Sequence, residues 1–180
     1  MADLFAKPVL PGQKPLTAGD ATLSITDPGP ITSIAAFPGQ QARLAGKLGG
    51  LPAPNRFLTD PLRIWTGPDQ TFLLGVPAPD PAPLAALAAM TDQTCGWAAF
   101  HLQGPGAEAV LARLYPLDLR AATFPQGHAA RAPLGHMQSI LARLEPQGFL
   151  ILVFRSMAQT AWAELCDAMQ RLEARARAGS

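Results

Sequence analysis

Charge is scarce in this 180-residue chain: Asp, Glu, Lys and Arg together make up 15% of it, against roughly 25% in an ordinary soluble domain. With 48% hydrophobic residues and a positive mean hydropathy of +0.13, the sequence has little charge with which to cover a free surface. The formal net charge of +1 and a pI of about 7.9 exclude the strongly basic footprint of a nucleic-acid binder. Long apolar runs are missing as well. Pro, Gly, Asp or Arg interrupts every candidate before the ~18 residues that a membrane-spanning helix requires. The opening MADLFAKPVLPG has neither the charged start nor the continuous apolar stretch of a secretory signal, so a cytoplasmic location is expected.

Reactive groups are few. Cys95 and Cys166 stand in no CxxC or other metal-ligand spacing, and are expected to be buried thiols in a reducing compartment. His101, His128 and His136 form no HxxxH pair and join no cysteine pair, so no zinc site is expected. His128 and His136 lie near Arg131 at the ends of predicted strands, where histidines more often bond a backbone carbonyl than a ligand. There is no G-x-S-x-G elbow, the single tyrosine, Tyr115, stands beside Pro116, and the four glutamates fall on predicted helix or strand ends. No catalytic, cofactor-binding or metal-ligating residue is therefore assigned to the chain.

Two glycine clusters invite a phosphate reading and fail it. Gly104-Pro105-Gly106-Ala107-Glu108-Ala109 matches G-x-G-x-x-A between a strand and a helix, but Ala121 to Arg131 holds no Asp or Glu for a ribose hydroxyl. A plain helix start is the better reading. Gly46-Lys47-Leu48-Gly49-Gly50 lacks the GK[ST] ending and reads as a helix C-cap.

What is abundant is proline: fourteen of nineteen lie at or before Pro83, which makes the first half punctuated and irregular. Residues 1–19 read as an extended apolar arm, and residues 20–180 as one α+β domain of two half-units, about 20–92 and 93–180. The first half-unit has strands at 21–26 and 31–37, a helix from about Gly39 to Leu48, a hairpin of 62–66 and 71–76 around Gly67-Pro68-Asp69, and a helix opened by Asp80-Pro81. The second has a strand at 97–103, a helix after Gly104-Pro105, strands at 128–134, 137–144 and 149–154, and a long helix to about Arg175. Ser156 and Gln159 are spaced as a capping box for that helix. The repeated order predicts two tandem split βαβ, ferredoxin-like units, their antiparallel sheets covered by helices and sharing strands.

The combination Leu102-Gln103-Gly104-Pro105, Pro116-Leu117-Asp118-Leu119, Ala130-Arg131, Leu134-Gly135-His136 and Phe154-Arg155-Ser156 resembles the gamma subunit of heterotetrameric sarcosine oxidase, and through it the aminomethyltransferase-like fold of the glycine cleavage T-protein. The likeness covers residues 94 to about 170. It implies a non-catalytic subunit of a cytoplasmic flavoenzyme complex that oxidatively demethylates sarcosine or a similar N-methyl amine and passes the one-carbon unit to tetrahydrofolate. By the same resemblance the partners are alpha, beta and delta subunits, alpha in direct contact. FAD is expected in beta, FMN between alpha and beta, and NAD and tetrahydrofolate functions in alpha. Where the T-protein hairpin carries a catalytic aspartate, this chain reads Gly135-His136-Met137-Gln138-Ser139, which argues against aminomethyl transfer. Arg120, Arg131 and Arg155, at the ends of predicted elements, are candidate partner contacts, since arginine is enriched at interfaces. Two other readings stay open: a free-standing folate-binding module, and a gamma-like subunit of an N-methylglutamate dehydrogenase.

Overall fold

Strands that are apolar on both sides need cover on both sides, and the fold supplies it in layers. A computed structural model describes residues 8–179. Its strands are β1 (Leu16–Ala18), β2 (Ala21–Thr26), β3 (Ile31–Ala36), β4 (Phe57–Leu58), β5 (Arg63–Gly67), β6 (Gln70–Leu74), β7 (Ala88–Asp92), β8 (Trp97–Gln103), β9 (Ala129–Leu134), β10 (Met137–Glu145) and β11 (Gly148–Phe154). Its helices are α1 (Gln41–Leu48), α2 (Ala107–Leu111) and α3 (Ala158–Ala178). One antiparallel sheet runs β1-β2-β8-β11-β10-β9 and the other β4-β5-β6-β3-β7. The result is an α+β fold in which β2, from the first half of the sequence, pairs with β8 from the second.

Period-two alternation sorts the side chains of each strand between layers. On β11, Phe149, Ile151 and Val153 pack with Ala161, Trp162, Leu165 and Met169 of α3 and Val110 and Leu111 of α2. The intervening Leu150 and Leu152 pack with Ile31, Ile64, Phe72 and Leu74 of the other sheet. The far face of that second sheet buries Ile34 and Leu73 under Leu44 of α1 and Leu84. The order of layers is therefore α2 and α3, first sheet, second sheet, α1.

Several expectations need correction. The stretch after Asp80 is not a helix: Asp80 Oδ1 accepts the Ala82 amide at 3.0 Å, a single 310 turn follows at Ala82–Leu84, and residues 88–92 pair with β3 as an edge strand. Leu84, Leu87 and Ala88 do share one buried cluster, but a tight turn followed by a strand delivers them there. The Ser156–Gln159 capping box does not form. A 310 turn at Arg155–Met157 runs straight into α3, and the Ala158 amide donates to Arg155 O instead. Helix α3 continues to Ala178, beyond Arg175, and α2 begins two residues after Pro105 and spans only five residues. Within the stretch read as an arm, 16–18 form a strand beside β2, while residues 1–7 lie outside the described residues. Cys95 is exposed rather than buried, and Cys166 is half-buried, because Cys95 sits in the surface turn Thr94–Gly96.

Candidate functional site

The glycine motif before α2 is filled by the protein's own backbone. The Gly106 amide donates to Asp20 O at 2.9 Å, and a Cβ on Gly106 would lie 1.9 Å from Gly19 O. Gly104, at φ +120°, would place a Cβ 2.6 Å from Asp20 O. These glycines admit the β1–β2 turn, and with that turn in place the motif does not fit a dinucleotide pyrophosphate. At Gly49, φ +71° and the amide bond to Ala45 O make the expected C-cap of α1. The buried Arg63 completes that cap, donating through Nη1 to Gly50 O at 2.7 Å and also to Leu48 O.

Titratable groups do not converge. Among the described residues no three His, Cys, Asp or Glu side chains lie close enough to hold a metal ion. His128 Nδ1 lies 3.1 Å from Pro125 O, the backbone-carbonyl contact expected of it. Burial, then the Arg56 charge, hold its imidazole below the ordinary value. His136 is exposed, 3.7 Å from Glu164. The most buried charged site is Arg143, 2% exposed, which donates to Glu108 at 2.8 Å, to Pro146 O at 2.8 Å and to Leu119 O, and lies over the Phe149 ring at 4.5 Å. Its guanidinium ties α2 and the loop before β9 to the first sheet, a structural task.

The three candidate arginines are placed differently. Arg120 grips Asp118 with two side-chain hydrogen bonds, which together hold that carboxyl well below the usual range. It organises its own loop and stands apart from the other two. Arg131 lies inside β9, paired with Ile140, rather than at the end of an element as expected; it is on the face that looks toward the second sheet and donates to Thr66 O at 3.3 Å. Arg155 follows directly on Phe154, and each lines a cavity that Trp97 also lines. Phe154 and Met157, two of the three large hydrophobic side chains that are exposed among the described residues, bracket Arg155. Arginine beside exposed aromatic and thioether groups is the composition of an interface core. Sequence reading missed Phe154 and Met157. Phe154 ends an otherwise buried strand, and nothing in its apolar run distinguishes it from Val153.

No protein-family model matches the chain, and no curated protein matches it. Solved structures do. A chain of heterotetrameric sarcosine oxidase from Corynebacterium sp. U-96, in complex with pyrrole 2-carboxylate, aligns with a TM-score of 0.75 at 26% identity, over 88% of this chain and 89% of its own. This chain is similar in structure to that oxidase chain. Such coverage cannot be contained within residues 94–170, where the sequence motifs lie, so the likeness to the sarcosine oxidase chain extends into the first half. No helix among the described residues is long and apolar enough to cross a membrane.

Proposed function

We propose that this protein is the gamma subunit of a sarcosine-oxidase-like flavoenzyme complex, bracing larger subunits and carrying no reaction of its own. The observation that carries the reading is the alignment of nearly the whole chain with nearly the whole of one chain from a heterotetrameric sarcosine oxidase. Low charge and the exposed Phe154 and Met157 support an obligate subunit, whose interfaces are hydrophobic like a divided core. FAD, FMN, NAD and tetrahydrofolate are assigned on this reading to the alpha and beta subunits, where the oxidative demethylation of an N-methyl amine would occur. The contact surface is assigned to Arg131, Phe154, Arg155 and Met157, with alpha as the direct partner. Arg120, already paired with Asp118, is the weakest member of the original three.

The test is co-expression of the tagged chain with the alpha, beta and delta subunits, followed by a flavin absorption spectrum of the captured material. The expected result is a yellow, stoichiometric complex that Arg155→Glu combined with Met157→Glu disrupts. Capture of the chain alone, without flavin, contradicts the proposal.

A further inference from the structure

Among the described residues two buried polar side chains make no hydrogen bond, Thr66 through Oγ1 and Trp97 through Nε1, and both line one cavity of about 190 Å3 between the two sheets. Thr66 is 1% and Trp97 6% exposed. Leaving a buried donor unpaired costs its full desolvation, so two lining one cavity mark a position prepared for something else. Alternation explains how they meet. Thr66 lies at a bulge where the β5–β6 register shifts, and bulges re-aim side chains next to binding sites. Trp97 shares the inner face of β8 with Ala99, just as Arg131 shares that of β9 with the buried Ala129. Arg131 and Phe154 carry the same inner faces out to the exposed rim.

The polar lining is rich in donors, alongside the carboxamides of Gln70 and Gln93, which can both donate and accept. Trp97 Nε1 can only donate, and Arg131 has further N–H groups beyond its bond to Thr66 O. Ser33 Oγ already accepts from Gln70 Nε2 at 2.9 Å, leaving its own proton to give. Among the described residues no carboxylate lines the cavity, and Arg131 is the one charged group that does. Aromatic rings wall it: Trp97 meets Phe72 edge-on at 5.4 Å and Phe154 at 4.6 Å. The volume is below that of pockets for drug-sized ligands. The geometry points to a carboxylate-binding pocket, filled by a small free monocarboxylate or by the acidic side chain of a neighbouring subunit, with Arg131 pairing the charge and Trp97 and Thr66 supplying neutral hydrogen bonds.

The test places 5-fluorotryptophan in the full chain and follows the Trp97 19F signal, assigned through Trp97→Phe, during titration with sodium acetate, with acetamide and sodium chloride as controls. Acetate should move the signal saturably while the controls do not, and Arg131→Gln, at an exposed position, should weaken acetate at least about tenfold. Thr66→Val should weaken acetate while raising Tm, because it removes an unpaired hydroxyl; a merely structural Thr66 would lower both or neither. Repeating the titration on the co-purified assembly separates the sources. A signal already at the acetate-bound position and deaf to added acetate identifies a partner's carboxylate, and a responsive one identifies a free ligand. No saturable shift in either preparation, or an equal shift with acetamide or chloride, overturns the proposal.

Discussion

Tyr115 is the only tyrosine of the chain, and its hydroxyl lies 2.8 Å from Ser139 Oγ, which in turn donates to Ala132 O at 2.7 Å. Burial pushes its phenol above the ordinary value of 10.0. A folded-state value above the unfolded one means that this stabilisation is complete below pH 10 and is lost as pH rises above it. Tyrosinate absorbance should therefore appear only together with unfolding, as followed by near-UV circular dichroism. Ionisation near the ordinary value with the fold intact would contradict the burial. Arg143 makes a second prediction at this scale. Arg143→Ala leaves the Leu119 and Pro146 carbonyls without their donor and empties the space over Phe149, and should cost about 2–3 kcal/mol in urea unfolding; Glu108, partly exposed, stays solvated, and Arg143→Met should recover part of that loss.

At the scale of elements, the β1–β2 turn seated on Gly104 and Gly106 locks the N-terminal hairpin of the first sheet to the start of α2. Gly106→Ala must displace that turn and should destabilise by about 1–3 kcal/mol. Gly46→Ala is the control: Gly46 is exposed on α1 with nothing near its missing Cβ, and the change should stabilise by about 0.5–1 kcal/mol. Equal effects from the two substitutions would refute the packing argument. These elements also show what was readable beforehand. Strands β8 and β11 were legible because the turns at Gly104-Pro105 and Pro146-Gln147-Gly148 bound continuous apolar runs. Helix α3 was legible from its long apolar stripe. Strand β7 was not, because Leu84, Leu87 and Ala88 have a spacing that a helix and a turn-plus-strand satisfy equally, and only the open edge of β3 decides between them. The Ser156–Gln159 cap failed for a similar reason, since the 310 turn had already used the first amides.

For the whole molecule, the α+β class and the sharing of strands between halves were visible in the order of elements, and residues 102–156 carried the resemblance to an oxidase subunit. The face-to-face stacking of the sheets was not visible, because pairing Ile31 and Phe72 with Leu150 and Leu152 depends on contacts far apart in sequence. For the same reason the cavity of Trp97, Thr66 and Arg131 had no signature: its residues come from both sheets. The surface that results places Phe154 and Met157, each 41% exposed, on either side of Arg155, on a chain with little charge to spare.

Native mass spectrometry of the tagged protein, purified gently from the cells that make it, tests this account most directly. The expected result is a four-chain particle that retains flavin and releases one copy of the tagged chain on activation. A flavin-free monomer of the tagged chain, stable and cooperatively folded, would contradict it.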